Sequence, residues 1–298
     1  MKPGWLQGLV VATHGRHCWI ETDSGERRLC HPRGKRQSAV VGDRVWWQPS
    51  RDEGTIEQIE PRRNLFYRQD AVRTKSFAAN LDQVLVLLAA EPVFSESQLN
   101  RALIAARAEG LPALVALNKS DLAEPFQQAW DRLQPYRAMG QRVWPLSLTR
   151  EAGLSDLRAE LEGKTTLVLG PSGVGKSTLV NRLVPDAAAA TSEISRALNT
   201  GRHTTTSTTW YWIDRSRHTA LIDSPGFQEF GLHHIPAPKL ALLMPDFESL
   251  AGQCRFHNCS HLHEPDCAVR AAVGHGITPQ RYRLYAELYE ELAAAPRY

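Results

Sequence analysis

Residues 170–177, GPSGVGKS, constrain the fold of this 298-residue chain more than any other segment. They have the spacing of a phosphate-binding loop, and they lie between an apolar run, Thr165–Leu169, and a helical pattern over Lys176–Leu183, which is the context that such a loop requires. In such a loop the backbone N–H groups surround a β-phosphate, the lysine bridges the β- and γ-phosphates, and the serine hydroxyl ligates Mg²⁺. The segment therefore predicts a nucleoside triphosphate site, with a chance glycine-rich turn as the alternative. The predicted nucleotide contacts are Gly170, Ser172, Gly173, Val174, Gly175, Lys176, Ser177 and Thr178, with Ser177 on the magnesium ion.

The tetrapeptide NKSD at 118–121 follows another predicted buried strand and selects the base. The Asp121 carboxylate can accept hydrogen bonds from guanine N1–H and the 2-amino group, Asn118 can contact the other edge of the base, and the Lys119 stem can lie across the ring. Adenine offers neither donor, so the preference for guanine is about two to four orders of magnitude. Ser147, in the SLT segment after the next strand, begins a turn whose N–H groups can cover guanine O6. An ordinary turn is the alternative for both segments.

Two more segments are expected to contact the γ-phosphate and Mg²⁺. Asp223 begins the tetrapeptide DSPG, which puts a carboxylate in the outer sphere of Mg²⁺ and the Gly226 N–H near the γ-phosphate. The sequence GRHTTT at 201–206 lies between this tetrapeptide and the phosphate loop. Either Thr204 or Thr205 is expected to complete the coordination of Mg²⁺, and a polar loop that binds nothing is the alternative.

The order of these motifs is itself informative, because the base-reading segments precede the phosphate loop. In ordinary small GTPases they follow it. A doubly wound sheet has chain ends that lie close together and tolerates such a rotation of the sequence. The order therefore predicts a circularly permuted GTPase domain, in which the segments that contact the γ-phosphate lead directly into the C-terminal region.

The group that orients the attacking water is not where small GTPases keep it. Those proteins have a glutamine directly after the Asp-x-x-Gly turn, whereas here Phe227 follows that turn and Gln228 comes one place later. A phenyl ring cannot hold a water molecule, so we expect slow intrinsic hydrolysis. His203 is the best candidate, because a neutral imidazole can accept a hydrogen bond from water; the alternative is that it only orders its loop or touches RNA. The predicted catalytic residues are His203 and Lys176.

Three of the five cysteines cluster near the C-terminus in the pattern Cys254-x4-Cys259-x-His261-x5-Cys267. Three thiolates and one imidazole form a closed tetrahedral set, which is typical of a structural Zn²⁺ site. His257 and His263 are neighbours that could replace His261. We expect one structural zinc ion in an α-rich domain of residues 233–298.

The N-terminal 68 residues alternate short apolar and polar runs, which predicts a small β-barrel. They carry 12 basic against 8 acidic residues, whereas the rest of the chain is nearly balanced around a total net charge of +3. Because electropositive loops on small barrels hold RNA, we expect nucleic acid as the partner, with a solvated charged loop as the alternative. Trp46 and Trp47 point to opposite faces of one strand, so at most one can stack on a base. The basic residues are Arg27, Arg28, Arg33, Lys35 and Arg36, expected in one loop, and Arg62, Arg63 and Arg68 after the last strand.

Residues 69–232 alternate apolar strands with helical patterns, which predicts a mainly parallel, doubly wound α/β sheet. Ser95 and Gln98 form a capping box for one helix, and leucines 154, 157 and 161 form the apolar stripe of another. The longest apolar run, 84–90, is far too short to span a membrane. We therefore expect a cytoplasmic protein with no membrane partner. The predicted strands are 81–90, 113–117, 142–146, 165–169 and 218–222.

Together these motifs resemble the RsgA (YjeQ) family, the bacterial circularly permuted GTPases that act in maturation of the small ribosomal subunit. The resemblance covers essentially the whole chain, from a barrel of the oligonucleotide-binding (OB) type to the Cys3His site. It implies that GTP and GDP bind with Mg²⁺, that the partner is the small ribosomal subunit with its 16S-type rRNA, and that the subunit stimulates GTP hydrolysis, which accompanies release of the protein. The C-terminal residues also follow the family pattern at Cys267-Ala-Val, Gly276-Ile and Arg281-Tyr282.

The leading hypothesis is therefore an RNA-associated, monomeric GTPase of ribosome assembly. A regulatory GTPase outside the ribosome, whose flanking domains bind protein, is the second hypothesis. A binding module that never turns its nucleotide over is the third. Strong salt dependence of subunit binding separates the first from the second, and phosphate release that Ser177→Ala abolishes excludes the third.

Overall fold

The computed structural model of the chain describes residues 4–34, 38–51, 53–184, 187, 208–225, 227 and 230–294. Within these residues an N-terminal barrel, a central α/β sheet and a C-terminal helical region follow one another, as the sequence predicts. The predicted domain limits after residues 68 and 232 stay predictions. No helix in the described part of the chain is both long and apolar enough to cross a bilayer.

The barrel closes through five strands in the spatial order β1-β2-β3-β5-β4, and β4 pairs back onto β1. Trp47 is buried and Trp46 is half-buried, which confirms that they occupy opposite faces of β4. The prediction of one basic loop is wrong for Arg27 and Arg28, since both lie on β3 with their side chains half-buried and exposed. Only one residue of β3 is fully buried, so its apolar alternation is too weak to be recognised. The strands are β1 Leu6–His14, β2 His17–Glu21, β3 Arg27–Pro32, β4 Arg44–Pro49 and β5 Gly54–Ile59.

A hairpin of β6 (Leu65–Gln69) and β7 (Thr74–Ala79) connects the barrel to the central sheet. Phe66 and Phe77 are buried in it and contact each other with ring centroids 5.9 Å apart. The Lys75 ammonium donates to the Pro225 carbonyl at 2.9 Å. The hairpin thus packs against the chain that follows Asp223.

The central sheet has the order β10-β9-β8-β11-β13-β12, parallel except for β12. The five predicted strands of this region are confirmed to within one or two residues, and β12 was not predicted. Because parallel strands end at one edge, the segments that follow β8, β9, β10, β11 and β13 all meet there. The strands are β8 Gln83–Ala89, β9 Ala113–Asn118, β10 Val143–Pro145, β11 Thr165–Leu169, β12 Thr209–Trp212 and β13 Ala220–Asp223.

Helices cover both faces of this sheet, and each face has its own core. Alternate residues of β8 pack on the two faces, Leu85 and Leu87 on one and Val84 and Val86 on the other. The predicted cap of α1 is confirmed, because the Ser95 hydroxyl accepts from the backbone N–H of residue 98. The buried leucine stripe of α4 is confirmed as well. The helices are α1 Glu96–Ala108, α2 Ala123–Arg132, α3 Gln134–Ala138, α4 Leu154–Leu161, α5 Lys176–Leu183, α6 Ala268–Ala271 and α7 Pro279–Ala294.

The C-terminal region combines α6 and α7 with two 3₁₀ helices, Ala237–Leu243 and Pro245–Leu250, and packs on the face of the sheet that carries α1. Arg281 of α7 is 2% exposed. Its guanidinium donates to Asp246 at 2.9 and 3.0 Å and to the Asn100 side chain of α1 at 2.5 Å. A buried charge bonded in this way fixes the orientation of the two regions, because breaking any one bond leaves the charge less well compensated.

Candidate active site and metal centre

The phosphate loop has the backbone of an anion cradle. Gly173 and Gly175 have φ values of +80° and +104°, in the left-handed region that favours glycine. A Cβ atom on Gly175 would lie 2.6 Å from the Asn118 side-chain nitrogen. Lys176 begins α5, and its ammonium donates to the carbonyls of Gly170 and Pro171 at 2.6 and 2.8 Å. The loop therefore has the conformation that the motif predicts, with its lysine folded back over it.

Asp223 ends β13 beside this loop, with a buried carboxylate of which one oxygen, Oδ1, has no hydrogen-bond partner among the described residues. Burial raises the pKa of Asp223, and the nearby Lys176 ammonium opposes that shift. Burial in turn lowers the pKa of Lys176. A buried carboxylate oxygen without a donor is costly unless a ligand uses it. Hydrated Mg²⁺ and a triphosphate fit this pair, since the ion supplies donors to Asp223 and the phosphates accept from Lys176.

Asn118 connects the two halves of the site. Its side chain is 4% exposed; Nδ2 donates to the Val174 carbonyl at 2.9 Å, and Oδ1 accepts from the backbone N–H of Leu148 at 3.1 Å. One residue thus joins the phosphate loop to the turn after β10. Because both ends of the amide are engaged, the structure gives Asn118 a positioning role, and its direct contact with the base stays a prediction.

The Asp121 carboxylate lies at the mouth of the site and accepts a hydrogen bond from the Ser147 hydroxyl at 2.5 Å. That bond lowers the pKa of Asp121, so the carboxylate is ionised at neutral pH, as an acceptor for guanine must be. Ser147 is buried and also lies 3.1 Å from the Thr149 hydroxyl. Lys119 has a φ of +69°, which turns the chain sharply after β9. The structure therefore gives Ser147 a function that the sequence did not suggest, which is to orient Asp121.

The remaining predicted contacts divide into two groups. Val174 is fully buried, whereas Ser172, Ser177 and Thr178 are exposed on the loop and the first turn of α5, open to a ligand. The predictions for His203, Thr204, Thr205, Gly226 and Gln228 lie outside the described residues.

The four residues predicted to bind zinc form a compact cluster. The ligand atoms of Cys254, Cys259, His261 and Cys267 all lie within 4.8 Å of one another. The sulfurs of Cys254 and Cys267 are 3.9 Å apart, and His261 Nδ1 lies 3.5 and 3.4 Å from them. Tetrahedral bonds of normal length to one zinc ion require about 3.8 Å between two sulfurs and about 3.6 Å between sulfur and nitrogen. The cluster fits zinc, and His261 is the histidine that belongs to it.

Helix α7 supports this cluster from behind. The Tyr282 hydroxyl donates to the carbonyl of His261 at 2.8 Å, and the Tyr285 hydroxyl donates to that of Ser260 at 2.8 Å. His261 itself has a φ of +62°, a conformation that a non-glycine residue keeps only when its surroundings impose it. Two tyrosines of the C-terminal helix therefore hold the backbone of the Cys3His cluster.

Carboxylates pair with much of the positive charge on the barrel. Arg27 contacts Glu21, Arg28 contacts Glu26, and Arg33 contacts Glu57 at 2.6 Å although 72% of its side chain is exposed. Arg62 is bound by the buried Asp43 and Arg63 by Asp82. Lys35 and Arg36 lie outside the described residues. The described barrel surface is therefore less free to bind phosphate than the residue count indicates.

Comparison with known proteins agrees with this geometry. The RsgA GTPase family model matches residues 59–233. The chain is 64% identical to a small ribosomal subunit biogenesis GTPase RsgA from Variovorax paradoxus, with 96% of this chain and 92% of that protein covered, and 52% identical to one from Paraburkholderia xenovorans, with 97% and 94% covered. The chain superposes on the crystal structure of YjeQ from Thermotoga maritima with a TM-score of 0.74 and 28% identity, covering 98% of this chain and 100% of that one. It superposes on the crystal structure of YloQ, a circularly permuted GTPase, with a TM-score of 0.70 and 26% identity, covering 100% of this chain and 99% of that one. The chain belongs to the RsgA GTPase family.

Proposed function

We propose that this protein hydrolyses GTP, with Mg²⁺, while it acts on the maturing small ribosomal subunit, and that it contacts the rRNA of that subunit through its barrel and its zinc-binding region. In this proposal Lys176, Ser177 and Asp223 hold the triphosphate and the magnesium ion, and Asp121 reads guanine. One structural zinc ion is held by Cys254 and its three partner ligands. The protein acts as a monomer in the cytoplasm.

The proposal that the protein binds a guanine nucleotide rests on the pair of hydrogen bonds made by the Asn118 side chain. They connect the phosphate loop, the guanine-reading segment and the turn after β10 into one unit, although the chain visits these segments in permuted order. A glycine-rich turn formed by chance has no reason to bond to an NKSD segment 56 residues away in the sequence. This argues for a guanine nucleotide site of the permuted kind.

The ribosomal part is supported by the names of the relatives. Proteins 64% and 52% identical to this chain, covered almost end to end, are named small ribosomal subunit biogenesis GTPases. The similarity extends over the barrel and the Cys3His cluster, so the flanking regions of this chain resemble those of proteins with this name, which favours the ribosomal hypothesis over a regulatory GTPase whose flanking domains bind protein. The positive excess of the N-terminal 68 residues supports contact with rRNA phosphates.

Co-sedimentation with purified small ribosomal subunits tests the proposal. We expect the wild-type chain to pellet with subunits more strongly in a non-hydrolysable GTP analogue than in GDP, and binding to weaken steeply as salt rises. Subunits should also accelerate phosphate release from GTP, and Ser177→Ala should abolish that release. Equal binding to small and large subunits, or no stimulation of phosphate release, would contradict the proposal.

A further inference from the structure

The barrel and the nucleotide-binding sheet are joined by hydrogen-bonded strands. Strand β1 of the barrel pairs with β12 at Ala12 and Thr209, and β12 pairs with β13 with Thr209 opposite Asp223. Ala12, Thr209 and Asp223 therefore form one row across three strands. This row runs from the barrel to the buried carboxylate beside the phosphate loop.

Strand β12 is the middle strand of this row, between β1 and β13. It begins at Thr209, three residues after the GRHTTT segment that the sequence assigns to Mg²⁺ and the γ-phosphate. Thr208 and Thr209 are buried, at 7% and 5% exposure. A displacement of β12 relative to β13 would change the position of Thr209 relative to Asp223.

A buried carboxylate ties β12 to the barrel. Glu21, the last residue of β2, is 5% exposed. Its Oε1 accepts a hydrogen bond from the Trp212 indole N–H of β12 at 2.7 Å, and Oε2 pairs with the Arg27 guanidinium of β3 at 2.9 Å. Arg217, in the turn between β12 and β13, lies 3.7 Å from the same carboxylate. Glu21 thus connects its own strand, β2, to β3 and to the β12–β13 hairpin.

The Glu21–Trp212 hydrogen bond fixes the relative orientation of the two side chains as well as holding them together. A hydrogen bond to an ionised acceptor is about twice as strong as a neutral one, and its geometry is specific. By contrast, the indole nitrogen of Trp210, two residues earlier on β12, has no hydrogen-bond partner among the described residues. The two indoles pack edge to face with centroids 5.0 Å apart. Of these two neighbouring tryptophans, Trp212 is therefore the one that bonds to the barrel.

We propose that Glu21 and Trp212 are positioning residues that couple the barrel to GTP hydrolysis through strand β12. Binding of rRNA to the barrel shifts or fixes β2 and β3, the Glu21–Trp212 bond carries that constraint to β12, and β12 carries it to Asp223 of β13, which lies opposite Thr209 and beside the phosphate loop. The inference rests on the proposed function, since it requires a partner that binds the barrel.

Trp212→Phe tests the proposal, because it keeps an aromatic ring and removes the indole donor. We expect the ratio of subunit-stimulated to basal kcat to fall about tenfold, within the usual range of coupling between sites, while KM for GTP and the affinity for small subunits stay close to wild type. Trp210→Phe is the matched control: the same substitution on the same strand removes an N–H that has no partner among the described residues, so the ratio should be unchanged.

A double-mutant cycle with Glu21→Gln identifies the bond itself. If the two side chains act as a pair, the effect of the double variant on the stimulation ratio is smaller than the product of the two single effects. Equal loss in Trp212→Phe and Trp210→Phe, or independent effects of Glu21→Gln and Trp212→Phe, would overturn the proposal. Absence of stimulation in the wild-type protein would instead refute the proposed function.

Discussion

Replacing Asn118 by alanine tests whether this residue builds the site or reads the base. The substitution removes the bonds to the Val174 carbonyl and the Leu148 N–H. Both residues are buried, with exposures of 0% and 2%, so the two backbone groups lose their partner inside the protein. A buried polar group left unpaired costs about 1–3 kcal/mol, which gives about 2–6 kcal/mol for the two. Against a typical stability of about 5–15 kcal/mol, this cost is large.

The assay is urea unfolding of the nucleotide-free protein, with GDP affinity measured in parallel. We expect Asn118→Ala to lower the free energy of unfolding by the amount above and to weaken GDP binding, because the two loops are no longer connected. Asp121→Asn is the control, since that side chain bonds to the Ser147 and Thr149 region at the mouth of the site. It should weaken GTP binding without a comparable decrease in stability.

One result would refute this reasoning. If Asn118→Ala leaves the unfolding of the nucleotide-free protein at its wild-type urea midpoint and reduces only GDP affinity, the two hydrogen bonds contribute nothing to the fold. Asn118 would then act on the base directly, as the NKSD motif alone predicts.

Three more predictions concern the base, the metal and the RNA. Asp121→Asn should abolish the preference for guanine and allow xanthine nucleotides, whose 2-oxo group accepts the amide proton; unchanged GTP affinity would remove Asp121 from the site. Metal analysis should find about one zinc ion per chain, and Cys259→Ser should lose it and unfold the C-terminal region while GTP binding persists; stoichiometric zinc in that variant would exclude Cys259 as a ligand. Replacing Arg33, Lys35 and Arg36 by alanine should weaken subunit binding and reduce its log–log salt slope by about 0.7–0.9 for each rRNA phosphate that these side chains neutralise in the wild type. A constant slope would mean that none of the three side chains contacts an rRNA phosphate. The charge of Arg33 is already paired in part with Glu57.

Much of the α/β region could be predicted because its strands are buried on both sides. Every residue of β8 is buried, and from Val84 onward the strand is a continuous apolar run that differs plainly from the helices around it. The motifs then fix where strands end, since Asp121 and Asp223 function only at the carboxyl edge of a parallel sheet. The predicted motifs therefore lie together at one edge of the sheet, after β9, β11 and β13.

The strands and contacts that the sequence analysis did not predict are those that depend on tertiary structure. Strand β3 buries only Cys30 completely, and its charged residue Arg27 is paired with Glu21 of β2. Strand β12 is only four residues long, TWYW, and follows a polar segment. The Asn118–Val174 hydrogen bond joins residues 56 positions apart, and the Glu21–Trp212 bond joins residues 191 positions apart. Local pattern carries no information about such pairs.

The surroundings of Phe227 bear on how water is activated. Phe227 occupies the place of the water-orienting glutamine in small GTPases, and it is 3% exposed, in the core with its ring centroid 6.0 Å from that of Phe230. A ring held there cannot hold a water against the γ-phosphate, so another group is needed, and His203 remains the candidate from the sequence.

We therefore expect His203→Ala to keep its affinity for GTP and for small subunits and to lose most of the subunit-stimulated phosphate release, measured in single-turnover assays with saturating subunits. Phe227→Leu is the control and should retain that stimulation; leucine is chosen because alanine would leave a cavity that costs about 3–5 kcal/mol. If His203→Ala loses subunit binding as well, the histidine orders its loop or touches RNA. If it keeps full stimulated turnover, the water is oriented by Gln228 or by a group that the ribosomal subunit donates, because the buried phenyl ring of Phe227 has no atom that accepts a proton.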